Sequence, residues 1–270
     1  MRFSRGVITI AIIVVVLAVG ISVGVYHLLK RTPHLAPPEA HCTVRAPDGE
    51  RTLDPEQAQI SATIAAVAAR RKLPERAVVI AYATAIQESK LYNLDYGDRD
   101  SVGVFQQRES QGWGRKEQIM DPVYATNRFF AALEKVKNYR KIPLAEAAQA
   151  VQRSAGGYAY APHEAEAEIL AAAFTGRVPQ AVHCWYPAAT TPAPRPRTGE
   201  ARKQLARALG STAITSKKRG WLIAAWSVAH AEKYALNRVR YAGATWSNDL
   251  EADGWQPGDT TPAATRVDLS

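Results

Sequence analysis

The stretch ATAIQESKLYNLDYGDRDSVGVFQQ, residues 83–107, sets a carboxylate, Glu88, and a hydroxyl, Ser89, where an apolar run ends. Three aspartates, Asp95, Asp98 and Asp100, and a glutamine pair, Gln106 and Gln107, follow within twenty residues. A carboxyl at such a place can hand a proton to a leaving oxygen and take one back, the work of a general acid–base. Apolar surroundings and the negative end of a helix both disfavour the charged form of a carboxyl. Asp98 and Asp100 are candidates for a second carboxylate, although an Asp-rich loop is more often turn chemistry. The glutamine amides both donate and accept, which suits a ligand rich in hydroxyls and amides.

The elements around these residues read as mostly helical. LDPEQAQISATIAAVAARR has Asp54 as N-cap, Pro55 in the first turn and Gln57 closing a capping box, which predicts a helix over about 55–71. LPERAVVIAYATAIQES begins again with Pro74 and is apolar on nearly every side, the pattern of a central buried helix that delivers Glu88 at its end. Between residues 93 and 116 the glycines Gly97, Gly103, Gly112 and Gly114 predict a loop with a small hairpin. Further helices are predicted from Asp121–Pro122, through LAEAAQAVQRS, and from Pro162 to Gly176.

The whole chain has 270 residues and a formal charge of +9. Residues 7–26 are uncharged and match the ~20 residues that a bilayer-spanning helix needs. They predict an uncleaved anchor with the body on the extracytoplasmic side of the cell membrane. The two cysteines, Cys42 and Cys184, bracket the middle of the chain and are expected to pair in an oxidising compartment. They and the scattered histidines show no metal-ligand spacing, so neither a metal nor a cofactor is expected. Residues 195–220 carry eight basic side chains, from Arg195 to Arg219, against Glu200. That cluster is expected to attract anionic wall polymers or lipid head groups rather than nucleic acid. The aromatic set Trp221, Trp226, Tyr234, Tyr241, Trp246 and Trp255 beside it reads first as the packing of a small domain.

The order Glu88-Ser89, an apolar residue, a polar turn and then S-V-G-V-F-Q resembles goose-type lysozymes and soluble lytic transglycosylases. In that family a catalytic ES ends a buried helix and a G-L-M-Q-like segment lies on the cleft wall. Residues 103–106 occupy that segment, and GYAYA at 157–161 stands in the region of the family's A-Y-N motif, with Ala161 in place of its asparagine. GDRDS, FQQR and QGWG are similar to wall-associated lysozyme-like proteins of actinobacteria. The resemblance, over about residues 50–180, implies an α+β lysozyme-like fold, a helical bundle with a small hairpin beside a cleft. It implies an enzyme that cuts peptidoglycan glycan strands between N-acetylmuramic acid and N-acetylglucosamine. Glu88 is then the general acid and base, Ser89, Gln106 and Gln107 contact substrate, and Tyr158 or Tyr160 fills the motif tyrosine's role. Trp113, Tyr158 and Tyr160 also offer ring faces to sugars. A lytic transglycosylase giving 1,6-anhydro ends is favoured over a hydrolytic muramidase, and the rival class is a non-catalytic wall-binding scaffold. The expected organisation is an anchor (1–31), a spacer (32–41), the lysozyme-like domain (42–187) and a Pro/Thr/Ala-rich linker (188–200). A small α+β C-terminal unit (201–257), leaning on the first domain, and a disordered tail (258–270) complete it.

Overall fold

The computed structural model describes residues 5–31, 39–153, 158–187, 194–250, 252, 254–258 and 265–270. It divides into a unit of residues 1–39 and a unit of residues 40–270. The first holds one helix, α1 (Arg5–Arg31), whose described side chains are Gly6 and residues 14–26. Among the described residues no helix is long and apolar enough to cross a membrane. The expectations of a spanning anchor, of the membrane as partner and of a single-pass location are corrected accordingly; the side chains of 7–13 and 27–31 lie outside the described residues.

The second unit mixes helices with short sheets. It opens on a hairpin, β1 (His41–Ala46) and β2 (Gly49–Leu53), followed by α2 (Pro55–Arg70) and α3 (Glu75–Ser89). A second hairpin, β3 (Ser101–Val102) and β4 (Gln107–Arg108), leads through α4 (Lys116–Ile119) to α5 (Pro122–Leu133), α6 (Leu144–Gln152) and α7 (Glu164–Phe174). Then come β5 (Val182–Trp185), α8 (Thr198–Leu209), α9 (Lys217–Ala229) and α10 (Ala231–Tyr234). A final group of strands is β6 (Arg238–Tyr241), β7 (Ala244–Ser247), β8 (Gln256–Pro257) and β9 (Asp268–Leu269).

The helix starts follow from their caps. Asp54 precedes Pro55, and its N–H donates to Gln57 Oε1 at 2.9 Å; Asp121 accepts from the N–H of Val123 at 3.0 Å. β1 is the middle strand of a sheet in order β2-β1-β5, where Cys42 lies opposite Cys184. The two are disulfide-bonded, closing a separation of 142 residues. The apolar helix α3 is buried from Ala77 to Ile86 and packs on α7, α2 and α6.

Residues 201–257 are not a separate body. Helices α8 and α9 lie on α2, and α9 also touches α7 and β5, so the residues beyond 194 complete the core that α2 and α3 begin. The expected division between a 42–187 domain and an accessory unit is therefore corrected, while residues 188–193 of the linker lie outside the described residues. The chain end also departs from the expected disordered tail. β9 pairs with β6 in a sheet of order β8-β7-β6-β9, and Val267 is buried. The C-terminal aromatics are interior packing: Trp221 meets Tyr241 and Trp255 edge-on, and Trp226 stacks on His230 at 3.8 Å between ring centroids.

Candidate functional site

Helix α3 stops because Lys90 and Leu91 both adopt left-handed backbone conformations, φ 56° and 64°. Gln57 of α2 secures that stop, its Nε2 donating to Lys90 O at 2.8 Å, and Leu91 is buried beneath it. Glu88 occupies the last turn, half-buried. The hydroxyl of Tyr160 donates to Glu88 Oε1 at 2.7 Å, and the tyrosine itself is 2 % exposed. One residue away, Gln87 Oε1 and His163 Nε2 lie 2.9 Å apart. These two links tie the start of α7, entered through the single helical turn Ala161–His163, to the end of α3. Burial, with Lys90 nearby, pushes the His163 pKa below its ordinary value, and Glu166 opposes the shift.

Of the two tyrosines offered by the sequence, Tyr160 is the one that meets Glu88. Tyr158 is 91 % exposed and lines a cavity of about 1090 Å³, with Arg76, Ile142, Pro143, Ala161 and Glu164 among its walls. Ala161 is exposed and brings no polar side chain to the place of the family asparagine; Gly157 of the same motif lies outside the described residues.

Ser89 is buried, so the expectation that it contacts substrate is corrected. Its hydroxyl is shared between Ala85 O at 3.1 Å and Val104 O at 2.8 Å, which pins the β3–β4 turn to the end of α3. Gln152 at the end of α6 holds the neighbouring residue of that turn, donating to Phe105 O at 2.8 Å. The segment 103–106 is thus a tight turn, with Gly103 at φ 79° and Gln106 at φ 47°. Gln106 is half-buried and closes the turn from within, its Nε2 reaching Gly103 O at 3.2 Å and Tyr96 O at 3.3 Å. Gly97 is required opposite it, since a Cβ there would overlap Gln106 Oε1 and stand 2.8 Å from Ser101 O. Gln107 is 1 % exposed and donates to Ala125 O at 3.2 Å, so it belongs to the interior and not to a groove.

The three aspartates each have their own surroundings. Asp100 receives the Ser110 N–H and hydroxyl, each at 2.9 Å, and Arg108 Nε at 2.6 Å. The backbone N–H of Ser110 first, then Arg108, holds its carboxyl well below the usual carboxylate range. The Asp98 side chain is 91 % exposed beside Arg99. Asp95 borders a separate cavity of about 380 Å³. Asp100 thus braces the hairpin and Asp98 faces solvent. Trp113 is partly buried against the core and forms a wall of a third cavity.

The basic cluster is largely engaged within the molecule. Arg197 meets Glu200 at 3.2 Å, Arg202 donates to Val267 O at 3.3 Å, Arg207 pairs with Asp121, and Lys218 meets Glu75 at 3.4 Å. Arg219 binds the carbonyls of Ala213 and Ser211. Sequence reading missed Gln87, His163 and Gln152. The first adjoins Glu88 and the second follows Pro162 at a helix start, both readable signals, whereas nothing local marks Gln152. Among the described residues no group of three metal-ligating side chains is found. No family model matches the chain, and no curated protein matches it.

Proposed function

We propose that this protein cleaves the glycan strand of peptidoglycan between N-acetylmuramic acid and N-acetylglucosamine, as a lytic transglycosylase with Glu88 as general acid and then base. The observation that supports the reading best is the Glu88–Tyr160 contact at the end of a buried helix, beside a turn that Ser89 and Gln152 fix in place. A tyrosine hydroxyl both donates and accepts, so it can hold the carboxyl in either protonation state. In the proposed cycle the Glu88 carboxyl gives its proton to the glycosidic oxygen as the bond to muramyl C1 breaks. The resulting carboxylate takes the proton of the muramyl 6-hydroxyl, whose oxygen closes on C1. The proton is returned, no water is consumed, and the product is a 1,6-anhydro sugar.

This route needs one carboxylate, whereas hydrolysis ordinarily employs a pair. Asp98 and Asp100 remain the candidates for the muramidase's second carboxylate, and the chemical form of the released ends decides between the two routes. The Cys42–Cys184 bond suits an oxidising compartment, where such a substrate is met.

The test uses the full chain, because residues beyond 194 complete the core. Purified peptidoglycan is incubated with the parent and with Glu88→Gln, and released fragments are weighed by mass spectrometry. Anhydro ends, one water lighter than reducing ends, from the parent alone are the expected result. Reducing ends make it a muramidase. Equal release by both proteins removes Glu88 from the mechanism, and binding of peptidoglycan without release by either leaves the scaffold reading.

A further inference from the structure

The third cavity, of about 500 Å³, lies where α5 and α6 end beside residues 111–113. That is within the size range of small-ligand sites. Its described charged lining is Arg128, Lys135, Lys137 and Arg153, and no carboxylate is among its described lining residues. The acidic neighbour in sequence, Glu134, is turned away and paired with Arg71. Among the described residues Lys135, Lys137 and Arg153 have no ion-pair partner. Arg128 is fixed in orientation, because its Nη2 and Nε donate to Gly112 O at 2.9 Å and Trp113 O at 3.2 Å. The other described lining residues are Gln111, Gly112 and Trp113 together with the small apolar side chains Ala131, Ala132, Val136, Ala150 and Val151. Cations beside small alanine and valine side chains suit a ligand that carries carboxylates on short apolar side chains. A phosphate polymer would use the charges and leave the apolar side chains without a partner.

We propose that this cavity binds an acidic peptide with small side chains; that the peptide is the stem borne by wall glycan is a further step, which rests on the proposed function. The cavity is connected to the Glu88 site through the chain itself. Arg153 follows Gln152, whose amide holds Phe105 O, and Val104 is held by Ser89, the neighbour of Glu88. We take this link as the route by which the peptide arm of a glycan bound at Glu88 reaches the cavity. Lys135, Lys137 and Arg153 then read the arm, and the catalytic carboxylate reads the sugar.

The probe is the peptide Ala-γGlu-Ala with both carboxylates free, titrated calorimetrically into the full-length Glu88→Gln protein. Saturable one-to-one binding is expected, weakening as salt rises. The exposed pair Lys135→Gln and Arg153→Gln should together weaken it about tenfold or more, and so should amidation of the peptide carboxylates. An unchanged thermal midpoint in that double variant shows that the fold is retained. Absence of saturable binding, equal binding by the variant, or binding of tripolyphosphate in place of the peptide overturns the inference. A second readout separates it from the proposed function. On glycan stripped of its peptides the double variant should turn over as the parent does, and on peptide-bearing glycan its KM should rise about tenfold with kcat unchanged. Loss of turnover by the parent on both glycans counts against the proposed function alone, and the titration still decides whether the cavity takes the peptide.

Discussion

Replacing Tyr160 by phenylalanine tests the reading of the site most directly, because it removes one oxygen and leaves the ring. The ring is buried between the start of α7 and the end of α3, so phenylalanine keeps its packing. What is lost is a hydrogen bond of 2.7 Å to Glu88 Oε1. A hydrogen bond to a charged group contributes about 1.5–3 kcal/mol. If the bond holds the carboxyl in its working direction through both proton transfers, the whole amount appears in the barrier. At 1.36 kcal/mol per decade, kcat should fall by about 10- to 150-fold. Uniform binding of the glycan is untouched, so KM should stay within about twofold. The comparison variant is Tyr158→Phe, whose hydroxyl belongs to a side chain that is 91 % exposed; its kcat should stay within about twofold of the parent. The assay is release of soluble fragments from purified peptidoglycan, measured over a substrate range so that kcat and KM separate. Full kcat in Tyr160→Phe, or a larger loss in Tyr158→Phe, would refute the assignment of Tyr160 as the residue that positions Glu88.

Two further predictions concern the frame that holds the site. Gly176, at φ +73°, lets α9 approach so closely that a Cβ there would stand 2.5 Å from Leu222 N and overlap Lys218 O. Gly176→Ala should therefore cost about 2–5 kcal/mol, about 1–2 for the left-handed backbone and about 1–3 for the overlap, read as a fall in the urea midpoint. A midpoint equal to the parent's would show that α9 is not docked as described. His230 is buried against Trp226, and burial lowers its pKa from 6.5 to about 3. Between those values the unfolded chain takes a proton that the folded one refuses, so stability should fall as pH drops from 6.5 toward 3, by up to about 1.4 kcal/mol per pH unit. Denaturant titrations across that range should show a shallower acid loss in His230→Phe; parallel curves for the two proteins would sink the account.

The sequence discloses the parts of this structure that depend on local chemistry. Caps at Asp54 and Asp121, prolines at 55, 74 and 122, and the uninterrupted apolar face of α3 mark helices by interactions within a turn or two. The cysteine pair is legible because only two cysteines exist. What escapes is settled by distant partners. The strand β1 is recognisable only once β2 and β5 stand beside it, since six residues alternating in burial carry little signal alone. Ser89 and Gln107 look like site residues because polar side chains near a catalytic candidate invite that reading. Their places are decided by carbonyls 15 and 18 residues away. The partners of Asp100 are likewise distant in sequence, Arg108 and Ser110 across the hairpin.

The largest misreading, the division of the core into two domains, did have a signal. ISATIAAVAA, residues 60–69, has no charged side chain over nearly three turns of helix. A helix covered on one face alone shows an apolar stripe of limited width, whereas one apolar all round must be covered on all sides. Helices α3 and α5 cover part of α2, and the rest would face water if the chain ended at residue 187. Helices α8 and α9 supply the missing cover, and the glycine at position 176 removes the one side chain that would keep α9 away. The end of α2 that carries Gln57 also holds Lys90 O, and with it the stop of α3 and the place of Glu88. The C-terminal helices thus act on the candidate site through α2, as part of the same core.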